Sequence, residues 1–123
     1  MAVKPGEIAF AYILDPDGNK CEDEHPVMIL RSFAESPNAW VVGITSEFKK
    51  PPPKHWLRLP WNPQGHAVTG LWRDSVLKCN WIQLKAIADL SAPIGVVPPD
   101  IFQLASDLIW TEVERKQANP PKG

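Results

Sequence analysis

Gly70-Leu-Trp-Arg-Asp-Ser-Val-Leu-Lys-Cys-Asn-Trp-Ile-Gln83 is the stretch on which the fold turns. Gly70 interrupts the chain, Asp74 to Ile82 read as a strand, and Lys85-Ala-Ile87 read as a short strand after it. Lys78 and Asn80 lie two apart, so their side chains share one face of such a strand. Downstream the period changes. Ile101, Leu104, Ala105, Leu108, Ile109 and Val113 recur at helical spacing, which predicts a helix over about 98–116. Pro98 and Pro99 suit its first turn, and Asp100 suits its positive end. Gln117 to Gly123 read as a frayed end, giving one domain over 1–117 and a tail at 118–123.

Upstream, Glu7-Ile-Ala-Phe-Ala-Tyr-Ile-Leu14 is rich in strand formers and stops at Asp15-Pro-Asp-Gly-Asn19. An acidic loop runs on to Glu24. Pro26-Val-Met-Ile-Leu30 is a continuous apolar run, the pattern of a strand buried on both faces. Ser36-Pro-Asn38 is a turn, and Trp40-Val-Val-Gly-Ile44 is a third strand ending in Thr45-Ser46. Pro51-Pro-Pro53 excludes regular structure, and His55-Trp-Leu-Arg-Leu59 alternates weakly as a strand. The expectation is a mainly β chain: five or six short strands in a small barrel, closed by a C-terminal amphipathic helix.

The chain has 123 residues, 44% of them apolar and 22% charged, within the globular range. Its fourteen prolines disfavour a helical bundle. No apolar run approaches the roughly 18 residues of a membrane span. The start, MAVKPGEIAF, lacks a signal peptide's apolar segment, and two cysteines fall short of a disulfide framework. A cytoplasmic protein with no membrane partner is expected. Residues 1–47 carry eight acids against three bases, whereas 48–85 carry seven bases against Asp74 alone. Trp56, Trp61, Trp72 and Trp81 interleave with those bases. Two readings fit: a groove in which cations meet phosphates and rings stack bases, or solvated strand edges blunted by lysine.

The order of these elements, with Gly6-Glu-Ile8, the Pro26-led strand, Gly43-Ile-Thr-Ser46 and the Gly70–Gln83 stretch, resembles the MazF/PemK (Kid-type) toxins of toxin–antitoxin pairs. The resemblance covers about residues 4–115. It implies an SH3-like barrel with a C-terminal helix, a homodimer, an acidic cognate antitoxin, and metal-independent cleavage of single-stranded RNA by 2′-OH attack. Such cleavage needs a proton acceptor, a proton donor, and positive charge or donors for the phosphorane. The chain departs from the family at two places. His25 stands where the family has Arg before the strand-two proline, and Lys78-Cys-Asn80 stands for Arg-Cys-Asp. Lysine offers a point charge in place of a planar fork, and Asn accepts no proton at neutral pH.

The candidates follow from this pattern. His25 has the residue chemistry for proton transfer near neutrality, and neighbouring acids such as Asp23 favour its cation; the other reading is an exposed loop histidine. Thr45 and Ser46 can donate hydroxyl hydrogen bonds to a phosphate, or else satisfy a strand-ending turn. Lys78 and Asn80 would hold RNA, or else form a solvent-facing strand surface, and Lys49, Lys50 and Lys54 would add phosphate contacts. No metal or cofactor is expected: Cys21 and His25 are four apart, but nothing nearby completes a ligand set. There is no Gly-rich phosphate loop. Two functions therefore compete: an endoribonuclease toxin with His25 and Thr45 in catalysis, or a degenerate barrel that binds RNA or a peptide without cutting. A homodimer is also expected from apolar content beyond what a small barrel hides.

Overall fold

A computed structural model describes residues 3–14, 24–33, 35–53 and 55–118, with 112–118 as backbone alone. The turn Asp15–Asn19, together with Cys21, Asp23, Lys54 and 119–123, lies outside the described residues.

Six strands form one antiparallel, curled sheet. In chain order they are β1 (Glu7–Ala11), β2 (His25–Ser32), β3 (Asn38–Thr45), β4 (Trp56–Leu59), β5 (Ser75–Ala86) and β6 (Gly95–Val96), followed by helix α1 (Pro99–Ala118). Across the sheet the order is β4-β5-β3-β2-β1-β6. The mainly β chain with one C-terminal helix is as the order of the elements predicts; the expected small barrel takes the form of a curled half-barrel sheet.

Alternation in the central strands explains why the sheet is covered on both sides. Ile8, Met28, Val42, Ile44 and Leu77 point to the face that α1 covers through Ala105 and Ile109. Their strand neighbours Ala9, Val27, Ile29 and Val41 point the other way, under Val3, Ile13, Trp81 and Leu90. Burying each of the larger side chains contributes about 1.5–3 kcal/mol, so truncating Met28 or Ile44 to Ala would cost about 2–5 kcal/mol. The two-faced burial expected of Pro26–Leu30 is realised at Val27, Met28 and Ile29.

Three expectations are corrected. Lys85–Ile87 is not a separate strand: β5 runs unbroken to Ala86, and Ile87–Asp89 form a 3₁₀ turn. The strand accommodates its length by a bulge. Val42 pairs with Ile82 and Ile44 with Leu77, so Gly43 alone faces residues 78–81. Leu104 is half exposed, because the buried stripe of α1 passes through Ile101, Ala105, Leu108 and Ile109. The helix continues to Ala118, past the expected end near 116.

The loop between β4 and β5 is stapled rather than slack. Thr69 is fully buried; its hydroxyl donates to the Pro60 carbonyl at 2.6 Å and accepts from the Leu71 amide at 3.1 Å. The Asn62 amide donates to the Leu71 carbonyl at 2.9 Å. Gly70 has φ +74°, and a Cβ there would lie 2.9 Å from the Ile94 carbonyl carbon, so only glycine lets the loop approach β6. An apolar groove of about 530 Å³ runs between α1 and the sheet, lined by Leu30, Phe33, Trp40, Ile82, Phe102 and Trp110. Among the described residues, no helix is long and apolar enough to cross a membrane.

Candidate functional site

His25 opens β2, and its backbone pairs with Ala11 of β1. Its ring meets the Trp81 indole edge-on, centroids 5.4 Å apart at 74°. Trp81 is itself fixed, because its Nε1–H donates to the Leu14 carbonyl at 2.7 Å. The indole lies against Gly43, where a Cβ would come within 2.7 Å of Cζ3 and nearer still to two other ring carbons. The histidine is thus held on one side by a sheet partner and a buried ring.

Thr45 and Ser46 arrive at the same place from the end of β3. Thr45 Oγ1 accepts from the Glu47 amide at 3.1 Å, and among the described residues its own O–H has no acceptor. The local turn and the donor are therefore two uses of one hydroxyl. His25, Thr45 and Ser46 line a cleft of about 320 Å³. Glu24, Glu47 and Arg73 add charge to it, and Phe10, Pro26, Leu71 and Trp72 supply apolar wall.

Trp72 and Arg73 are the residues that linear reading does not single out. Both belong to the basic, Trp-rich segment, but no spacing distinguishes them from the other lysines and tryptophans there. Their placement comes from the stapled loop. Ser75 Oγ donates to the Arg73 carbonyl at 2.8 Å, and Asp74 forms a 3.2 Å ion pair with Lys50. Lys49 and Lys50 are both exposed, and Lys50 is the one with a carboxylate partner.

Lys78 and Asn80 do not line the cleft. The Lys78 ammonium stands over two rings, 4.4 Å from the Trp56 centroid and 5.4 Å from the Trp81 centroid, and Asn80 is exposed. Cation–π contact with Trp56 and Trp81 thus engages the Lys78 charge. The Trp56 Nε1–H is buried with no acceptor among the described residues. Between these residues, Cys79 is buried, and burial pushes its thiol up to about 11. A thiol so disfavoured as thiolate is no nucleophile at neutral pH. Among the described residues, no three His, Cys, Asp or Glu groups gather as a metal site.

No protein-family model matches the chain, and no curated protein matches its sequence. Solved structures do match it in shape. A mycobacterial endoribonuclease, solved with its cognate antitoxin, superimposes with a TM-score of 0.65 at 14% identity, covering 92% of this chain and 96% of that one. The Mycobacterium tuberculosis toxin MazF-mt6 gives 0.64 at 20% identity, covering 88% and 96%. A chain of the MazE–MazF crystal structure from Deinococcus radiodurans gives 0.66 at 12% identity, covering 92% and 96%. The chain has the MazF-type toxin fold.

Proposed function

We propose that this chain is a MazF-like endoribonuclease toxin that cuts single-stranded RNA without a metal. The observation that supports it is the gathering of His25, Thr45 and Ser46, distant in sequence, into one cleft with two carboxylates and an arginine. In this reading the ribose 2′-OH attacks the adjacent phosphorus. The P–O5′ bond breaks, leaving a 2′,3′-cyclic phosphate and a 5′-hydroxyl. Glu24 or Glu47 takes the 2′-OH proton, His25 delivers a proton to the leaving oxygen, and Thr45 and Ser46 donate to the phosphorane oxygens. Lys49 lies outside the cleft as an approach charge. Lys78 and Asn80 contact RNA beyond the cleft.

The exposed apolar residues Phe33, Trp40, Leu84 and Trp110 support a homodimer, since a second copy would cover them. An acidic antitoxin would complement the basic 48–85 segment and hold the toxin in check in the cytoplasm. Incubating the purified protein with single-stranded RNA in chelator tests the enzyme reading. Products ending in cyclic phosphate are expected. Intact RNA, under conditions where a MazF relative cuts, would overturn it. A second reading, binding without cleavage, draws on the position of Lys78 and Asn80 outside the cleft; RNA retention without products would favour it.

A further inference from the structure

We propose that Trp72 and Arg73 form a nucleotide subsite in the cleft, Trp72 stacking a base and Arg73 binding the phosphate attached to it. The inference rests on the reading that the cleft takes single-stranded RNA, and it adds residues to which neither the family pattern nor linear spacing points.

Trp72 is 46% exposed although it is the largest apolar side chain in the cleft wall. Its ring is not loose. Phe10 packs against it with centroids 5.7 Å apart at 41°, so one face of the pair is braced by the sheet. Phe10 is pinned in turn by Ser91: its amide donates to Ser91 Oγ at 2.8 Å, and its carbonyl accepts from the Ser91 amide at 2.9 Å. A braced, half-exposed indole is a preorganised stacking platform that loses little entropy on binding.

Arg73 follows directly and lines the same cleft. Among the described residues it has no carboxylate within ion-pair distance, because its neighbour Asp74 is taken by Lys50 at 3.2 Å. The Ser75 hydroxyl holds the Arg73 carbonyl, fixing the backbone from which the guanidinium projects. A planar fork suits two phosphate oxygens. The chain lacks arginine before Pro26, and Arg73 supplies that cation from another element.

The test uses two single-stranded octamers with identical backbones, both uncleavable: a mixed-sequence 2′-O-methyl RNA, and an abasic version carrying the same phosphates. Base stacking is worth about 1–3 kcal/mol per base, so Trp72→Ala should weaken the base-bearing octamer about 5- to 150-fold and leave the abasic octamer unchanged. Trp72→Phe should restore most of the loss, which separates stacking from a folding defect. Arg73→Ala should weaken both octamers alike and reduce the slope of log K against log salt by about 0.7. Wild-type affinities in Trp72→Ala, an unchanged slope in Arg73→Ala, or no binding by the unmodified protein would overturn the subsite. Cleavage of natural RNA is assayed in parallel. If the binding pattern holds while RNA stays intact, the subsite stands and the nuclease reading falls. If RNA is cut by both variants at the wild-type rate and binding is unaltered, the reverse is true.

Discussion

The Trp81 indole occupies the volume that any side chain at position 43 would need. Gly43 is the lone β3 residue facing the β5 bulge, so the absence of a Cβ there lets the ring lie on the sheet and touch His25. A packing constraint in the core thereby sets the position of a residue in the cleft. Gly43→Ala should force Trp81 outward, cost about 1–3 kcal/mol, and lower the melting temperature by several degrees. Thermal unfolding followed by near-ultraviolet circular dichroism reads both effects; an unchanged melt would show that the ring has room to spare.

His25 carries the proton chemistry of the proposed cleavage. His25→Ala should lower the rate of RNA cutting by about 10²- to 10⁴-fold while binding weakens far less. A limb of the pH–rate profile should vanish with it. His25→Arg should keep more activity than His25→Ala by retaining positive charge. Equal rates for wild type and His25→Ala would move the acid elsewhere. Glu24→Gln and Glu47→Gln, assayed singly, should identify the acceptor as the one whose loss removes the opposite limb.

Cys79 should resist alkylation by iodoacetamide in the native protein at pH 8 and react promptly once unfolded, since burial raises its pKa to about 11. The stability consequence has a definite sign. Between the unfolded thiol's value near 9.0 and the folded value, the unfolded chain binds fewer protons, so stability should fall as pH rises across that window. Cys79→Ala should lessen that decline, which urea titrations at pH 8 and pH 10.5 would measure.

The two neighbouring lysines should behave differently toward salt. Lys49 is exposed and should contribute to the salt dependence of RNA binding, so Lys49→Ala flattens the slope. Lys50, equally exposed, is already paired with Asp74 at 3.2 Å, so Lys50→Ala should change the slope less. Binding isotherms at four salt concentrations separate the two; identical slopes for both variants would contradict the pairing.

Most of the architecture was legible because two signals are local. The apolar run Val27–Ile29 marks a strand covered twice, and the spacing of Ile101, Ala105, Leu108 and Ile109 marks a helix face. β6 escaped notice because a two-residue strand held by Gly95 and Val96 has no periodicity to read. The bulge escaped for a different reason: one residue facing 78–81 is a property of the partner strand, absent from β5 taken alone. In the cleft, His25, Thr45 and Ser46 were found through the family resemblance, and the structure brings them together. Spacing gives Lys78 either RNA or solvent as its surroundings, yet its charge lies over Trp56, a residue on another strand. Trp72 and Arg73 depend on a loop closed by Thr69, Asn62 and Gly70, contacts that spacing does not encode.

The Leu14 carbonyl accepts from both Trp81 Nε1 and the Gln83 side-chain amide, while Gln83 Oε1 accepts from the Leu14 amide at 3.1 Å. On the far side of residues 15–23, His25 is registered against Ala11. Leu14 and His25, the described residues nearest that interval along with Glu24, are therefore each fixed to the sheet. The pairing of β1 with β2 is thus tied, through one carbonyl and one amide, to side chains of β5, two strands further across the sheet. A change at Trp81 or Gln83 would therefore be felt at the far end of β1, where no residue of β5 is a ladder partner.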